Sequence, residues 1–411
     1  MVYDAIIIGA GPAGSMTARL IAEKGFKTLL CEEHSSTGSP IHCTGKLTTH
    51  AFQDFNLPIE TILNSVSAAK FYSPKGIELS IHKPSIDSHI LDRRMLDQKL
   101  VEIACSSGCE LSLQTRVQDV YIDSDMVKLK IKKIGISSHL KSRLIINAEG
   151  ARPALLRRVG LKGPNQILSG LQYEVTDIDI HSQDCVELYF GKNISPGFFA
   201  WVVPLNMNAA RVGLAIDNKS SSFSTQYYLR KFLNQIVRHA KRRNVKIENT
   251  YSGAIPISGP IERSYTDRML AVGDSAGQIK VTSGGGIYFG LKCAEIACKI
   301  ANQCLEKDTL GGAHLKQYET IWKKTIGREL KTTLFVRKIM NRLTDEEMDQ
   351  MFLILNDKKI KNIVEKYGDT AYQSRVLRPI LPDFLHASLK KKESLFFLAK
   401  LLFKGLSSIV S

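Results

Sequence analysis

Ala5-Ile6-Ile7-Ile8-Gly9-Ala10-Gly11-Pro12-Ala13-Gly14 joins a short apolar run to a glycine trio at the start of the chain. A second apolar run, Thr28-Leu29-Leu30-Cys31, follows and ends on Glu32, eighteen residues after Gly14. The order strand, glycine turn, helix, strand, carboxylate is that of a dinucleotide site. Gly9 permits the tight turn, Gly11 lets backbone approach a pyrophosphate, and Gly14 lets the helix pack on the strand. The helix start offers free N–H groups to phosphate oxygens, and the Glu32 carboxylate can accept from ribose hydroxyls. The stretch therefore predicts a Rossmann-like nucleotide-binding unit at the N-terminus.

A later stretch narrows the nucleotide. Arg268-Met269-Leu270-Ala271-Val272-Gly273-Asp274-Ser275-Ala276-Gly277 reads as a buried strand ending on a carboxylate, and Ser283-Gly284-Gly285-Gly286-Ile287 opens a second glycine-rich helix. Asp92-Arg93-Arg94-Met95-Leu96-Asp97 and Asn147-Ala148-Glu149-Gly150-Ala151-Arg152 lie between them. Together these stretches resemble the FAD-binding half of the aromatic-hydroxylase superfamily. That resemblance implies FAD, with Asp274 at its ribityl or ribose region and the 284–287 loop at the flavin ring. Leu96, Glu149 and Pro153 depart from the superfamily's usual residues.

Two more elements resemble the geranylgeranyl reductase family, and most closely its archaeal digeranylgeranylglycerophospholipid reductases. One is the loop Pro40-Ile41-His42-Cys43-Thr44-Gly45-Lys46-Leu47. The other is the strand Pro196-Gly197-Phe198-Phe199-Ala200-Trp201-Val202-Val203-Pro204, with Ala210-Arg211-Val212-Gly213-Leu214 after it. The resemblance covers roughly residues 1–305 and implies reduction of isoprenoid double bonds in membrane lipids. It implies FAD contacts at Gly9, Gly11, Ala13, Gly14, Glu32, Cys43, Thr44, Gly45, Leu47, Arg93, Asp274, Gly286 and Ile287, and places Cys43 beside the flavin as a candidate proton donor. Thr44 stands where that family has a smaller residue, and Phe199 and Val203 replace its tyrosine and phenylalanine. On a flat strand Phe199, Trp201 and Val203 share one face. They would wall a channel for a tail that offers no hydrogen bond. A flavin monooxygenase, a dehydrogenase feeding a quinone, and a prenyl-chain carrier with a vestigial nucleotide site remain alternatives, because fold alone does not fix chemistry.

At 411 residues the chain predicts two or three domains. The fold class expected is α/β (α+β overall): a discontinuous FAD-binding domain of the aromatic-hydroxylase type over 1–65, 90–164 and 260–305. A sheet-rich, antiparallel substrate domain is expected over 66–89 and 165–259, and a helical extension over 306–411. Strand patterns lie at 69–72, 77–82, 114–122, 127–134, 144–148, 170–175, 186–190, 198–203, 210–216 and 269–273, with helices over 93–106 and 222–242. The eight cysteines show no Cys-x-x-Cys spacing, so no metal and no disulfide framework are expected. Cys105, Cys109, Cys293 and Cys298 are expected on helices as small apolar groups.

The net charge of +16 admits nucleic acid or anionic lipid as a partner. No recognition helix, zinc module or aromatic platform favours nucleic acid. Lys390-Lys391-Lys392 precedes an apolar stretch over 395–406 that is too short to span a bilayer. The segment 389–411 is therefore expected either to lie on a membrane surface or to close over a core. No charged-then-apolar leader opens the sequence, so the expected location is the cytoplasm, at most peripheral on the inner face of the membrane. An isoprenoid lipid substrate and an unidentified electron donor are the expected partners.

Overall fold

A computed structural model of the chain describes residues 1–239, 245–377, 379, 380 and 382. The opening apolar run becomes the strand Val2–Ile8. It lies between Thr28–Cys31 and Ile136–Asn147, parallel to both. Met269–Ala271 and Glu110–Ser112 extend the parallel array on either side. Such an array is apolar on both faces because helices cover both; Ala5, Ile6 and Ile7 are accordingly fully buried. The strand Val127–Lys133 folds antiparallel onto Ile136–Asn147 and Thr115–Ile122 onto Val127–Lys133, and with Tyr265–Thr266 beside Met269–Ala271 they bring this sheet to eight strands. Helices Pro12–Ala22, Arg93–Ser106 and Ile287–Glu306 belong to the same unit, with the first packed against the other two.

A second, seven-stranded sheet runs in the order Lys246–Pro256, Ile167–Thr176, Ala209–Ile216, Ala200–Asn206, Cys185–Tyr189, Ala68–Tyr72, Glu78–His82. The pairing of Cys185–Tyr189 with Ala68–Tyr72 is parallel, a departure from the antiparallel sheet expected. One face of this sheet is closed by the helix Thr225–His239. Its Tyr228, Leu229, Phe232 and Leu233 pack on Tyr173, Val175, Val202, Val212 and Leu214. A three-stranded sheet, Lys46–Thr48, Ser88–Leu91 and Ile62–Val66, belongs to this unit too. The expected strand over 198–203 begins at Ala200, so Phe198 and Phe199 precede it.

The chain divides into two units, Met1–Ile41 with Arg93–Ile167 and Pro256–Lys331, and His42–Asp92 with Leu168–Ile255 and Thr332–Ser411. Residues 42–65, expected with the nucleotide-binding part, lie in the second unit because Lys46–Thr48 and Ile62–Val66 both pair with Ser88–Leu91. The expected helical extension is divided. The helix Gly312–Thr325 joins the first unit, where its Tyr318 and Trp322 are fully buried, and the helices Asp345–Leu355 and Lys358–Tyr367 join the second. The segment 389–411, with its membrane-or-core expectation, lies outside the described residues. All eight cysteines are free thiols; Cys109 falls beyond the helix expected to hold it, just before Glu110–Ser112.

Candidate functional site

In the first unit the glycine turn has the geometry a pyrophosphate needs. Gly9 has φ of +103°, and a Cβ there would overlap the Ala148 carbonyl oxygen. A methyl on Gly14 would overlap the Gly9 carbonyl oxygen, so the helix can approach the turn only with glycine at that place. Gly11 differs from both: no protein atom lies within 4 Å of where its Cβ would be. It is the N-cap of Pro12–Ala22 and makes no side-chain cap, which leaves the first N–H groups of that helix for a ligand. Ala13 packs at the opposite surface of the turn, where a Cβ on Gly273 would come within 3.1 Å of its methyl and one on Gly290 within 3.5 Å. This close contact locks the first helix to the second glycine-rich helix.

Glu32 ties the turn to the second strand. Its Oε2 accepts the Ala10 N–H at 2.9 Å, and its Oε1 accepts the His34 N–H at 3.0 Å. His34 Nδ1 also meets Oε1 at 2.6 Å, so Oε2 is the oxygen that retains acceptor capacity for a hydroxyl. Asp274 occupies the short turn Gly273–Ala276 after the strand Met269–Ala271. A buried network fixes that turn: Gly273 N–H donates to Gln278 Oε1 at 2.8 Å, Gln278 Nε2 donates to Tyr318 Oη at 2.7 Å, and Tyr318 donates to the Ala271 carbonyl at 2.9 Å. Ser275 Oγ bonds back to the Asn147 carbonyl at 2.9 Å. Burial pushes the Asp274 carboxyl up to about 6, against the pull of the Arg93 guanidinium. Arg93 is itself buried and holds Asp97 with bonds of 2.9 and 3.0 Å to the two carboxylate oxygens. A Cβ on Gly286 would displace Asp274 Oδ1, so glycine here leaves that carboxylate its position. Ile287 opens the helix Ile287–Glu306. Two hydroxyl-accepting carboxylates, a free helix start and an open glycine are the fittings an FAD molecule requires, and the residues present fit it.

The second unit carries the other expected residues. Gly45, with φ of +83°, is pressed against Leu91, whose carbonyl oxygen would be 2.6 Å from an added Cβ. Arg211 holds the loop in place. Its Nη1 donates to the Thr44 carbonyl at 2.7 Å and the Leu91 carbonyl at 2.9 Å, while its Nε pairs with Glu174 at 3.1 Å. Cys43 is partly exposed, and its Sγ accepts the Gly45 N–H at 3.3 Å. Leu47 is buried on an edge strand, so only its backbone can meet a ligand.

Gln172 joins this loop to the apolar wall. Its Oε1 accepts from Thr44 Oγ1 at 2.8 Å and from Trp201 Nε1 at 2.9 Å. An indole N–H only donates, so that contact settles which end of the amide is oxygen. Gln172, Gly213 and Trp201 lie in one cross-strand row. The indole passes over Gly213, where an added Cβ would sit 2.6 Å from the ring. Phe199 meets Trp201 edge-on at 6.1 Å and stacks on Phe198 at 4.2 Å. Val203 packs with Val66, Ile90 and Val186 in a small core and is only 4% exposed. This is the sheet face opposite the one covered by Thr225–His239.

The FAD binding domain family matches residues 2–324. The digeranylgeranylglycerophospholipid reductase of Methanocaldococcus jannaschii is 30% identical, over 89% of this chain and 95% of its own length. Digeranylgeranylglycerophospholipid reductase 2 of Methanothermobacter thermautotrophicus is 32% identical, over 93% of this chain and 100% of its own. The chain belongs to this reductase family of FAD-binding proteins. Its cofactor is FAD. A geranylgeranyl bacteriochlorophyll reductase-like protein from Thermoplasma acidophilum shares the fold with a TM-score of 0.81 at 23% identity, covering 97% of this chain and 99% of that one. The p-nitrophenol 4-monooxygenase of Pseudomonas putida shares it with a TM-score of 0.71 at 15% identity, covering 89% and 97%.

In this flavoprotein, then, Gly9, Gly11, Ala13, Gly14, Glu32, Arg93, Asp274, Gly286 and Ile287 lie in one unit. Cys43, Thr44, Gly45, Leu47, Phe199, Trp201 and Val203 lie in the other. Three supporting residues escaped sequence reasoning as site residues: Arg211, Gln172 and Tyr318. Arg211 left a signal, being the one charge in the fully buried strand Ala209–Ile216. Tyr318 left none, since its role depends on a helix from a distant part of the chain.

Proposed function

We propose that this flavoprotein hydrogenates the carbon–carbon double bonds of geranylgeranyl chains, with digeranylgeranylglycerophospholipids as the substrate class. The observation that carries the reading is the match to two reductases of that name along almost their whole length. The partly exposed indole of Trp201, backed by the buried Phe199, supports it, because an isoprenoid tail offers only dispersion and burial to whatever holds it. When bound and reduced, FAD supplies the hydride for one alkene carbon. The other carbon needs a proton, and Cys43 is the proposed donor. Arg211 fixes the loop that carries this thiol, and Gln172 fixes the indole that shapes the alkene's approach.

Dithionite-reduced protein should be incubated with the geranylgeranylated phospholipid and the lipid weighed by mass spectrometry. Gain of two hydrogens for each reduced bond is expected. A product that gains oxygen, and only in air, would replace the reductase reading with a monooxygenase. Cys43→Ala should keep its FAD and lose about 10²–10⁴-fold in turnover, as a missing general acid does. Full turnover in the flavin-loaded variant would end the role of Cys43 and leave the reductase reading intact.

A further inference from the structure

The hairpin formed by Val127–Lys133 and Ile136–Asn147 projects a tip that the nucleotide site does not use. Every residue from Lys132 to His139 is exposed. Ile134 is 70% exposed and Ile136 is 73% exposed, on either side of Gly135. Lys133 pairs with Ile136, so Ile134 and Gly135 form a two-residue turn with φ of +47° and +83°. Positive φ at both positions defines a type I′ turn, whose first place favours asparagine and strains a β-branched side chain. A strained isoleucine held in water is costly twice over, and neither cost is recovered inside the fold.

The charges behind the tip follow the same logic. Along Val127–Lys133, Val127, Leu129 and Ile131 are buried and Lys128, Lys130 and Lys132 face solvent. Lys132 lies directly opposite Arg116 and Lys128 directly opposite Lys141, while Lys130 faces Asp119. Like charges across a strand pair repel. Asp123 offsets Lys128 at 2.8 Å and Glu33 approaches Arg116 at 3.6 Å, both on exposed side chains where pairing is weak.

We propose that this hairpin docks the protein on an anionic lipid surface, with Ile134 and Ile136 entering the headgroup–acyl boundary and the lysines meeting lipid phosphates. Nucleic acid or an acidic protein would satisfy the lysines and leave both isoleucines in water. An apolar protein groove would do the reverse. A bilayer presents anionic and apolar layers in the order in which the hairpin presents its lysines and its tip. The inference stands on the hairpin and does not require the reductase reading.

The test uses the full chain with FAD bound and vesicles of phosphatidylglycerol mixed with phosphatidylcholine, against vesicles of phosphatidylcholine alone. The unaltered protein should sediment with the anionic vesicles. Lys130→Glu/Lys132→Glu should weaken binding at least tenfold, since each lost lysine is worth about fivefold at such a surface. Ile134→Asn should weaken binding while raising the thermal midpoint, because asparagine relieves the turn. Opposite signs in one variant separate docking from folding. Unchanged vesicle affinity in both variants would overturn the proposal, as would wild-type binding to single-stranded nucleic acid in place of vesicles. Turnover on detergent-dispersed substrate should be the same in all three proteins, so failure here is distinct from failure of the reductase assignment.

Discussion

The turn at 9–14 and the loop at 43–45 are both built on glycine, yet they are held in different ways. Gly9 and Gly14 press against each other and against Ala148, which directly follows the strand paired with Val2–Ile8. The turn is held by close backbone packing, part of it from Ala148 far along the chain. Gly45 is pressed against Leu91, and Thr44 beside it is anchored by Arg211, 167 residues further along the chain. That loop is a property of the assembled unit. A site held by backbone packing fails when a side chain is added to it, whereas one held by a side chain fails when that anchor is lost.

The largest effect should come from Gly14→Ala. The added methyl overlaps the Gly9 carbonyl oxygen, which is backbone and cannot rotate away. Destabilisation beyond about 4 kcal/mol is expected, read as loss of soluble, yellow protein. Gly11→Ala meets no protein atom within 4 Å and should keep its thermal midpoint while losing FAD. Equal unfolding of the two variants would break the distinction between a packing glycine and a ligand glycine.

Arg211→Met removes the distant anchor and leaves Glu174 without its partner charge. Arg211 is buried but Glu174 is only partly so, so losing the charge-assisted bonds costs about 1.5–3 kcal/mol, and urea denaturation would measure it. A near-neutral result would show that the 43–45 loop holds itself, and would erase the contrast with the glycine turn.

Asp274→Asn probes a buried charge in the first unit. A carboxyl that titrates at about 6 when folded, against about 3.9 when unfolded, disfavours the folded state once ionised. Stability of the FAD-free protein is therefore full below the unfolded value and falls as pH rises from about 4 to about 6. The asparagine variant should lose that slope and melt higher at pH 7 without FAD, while binding FAD about 10- to 150-fold more weakly for want of a charge-assisted bond. Persistence of the slope would assign it to another group.

Thr44→Ala should have the smallest effect, about 0.5–1.5 kcal/mol for one hydrogen bond. Gln172 would keep the indole of Trp201 as its donor, so no buried acceptor is orphaned. FAD content should not change. A loss as large as that of Arg211→Met would make Thr44 a second anchor of the loop.

The nucleotide unit was legible because its chemistry lies in contiguous residues. Gly9 to Gly14, Glu32 and the Asp274 turn each carry their geometry in short stretches, and Arg93–Ser106 forms as its periodicity predicts. Two things were hidden. The sheet of Lys46–Thr48, Ser88–Leu91 and Ile62–Val66 is made of short strands broken by polar residues, with no pattern of their own. The face shared by Gln172, Gly213 and Trp201 exists only after three strands pair in one register.

The amino-acid sequence by itself determined that a dinucleotide binds, because a glycine turn followed by a carboxylate is a local device whose spacing is set by one strand, one helix and the next strand; that the dinucleotide is FAD rested on the resemblance carried by the Asp274 and 284–287 stretches. It also determined the apolar character of the stretch 199–203. Only tertiary structure decided what holds the Cys43 loop, which sheet face is left uncovered by the helix Thr225–His239, and how Asp274 comes under the influence of Arg93. These are relations between residues far apart in the chain. They are fixed by pairing register and close packing, which no single stretch of residues encodes.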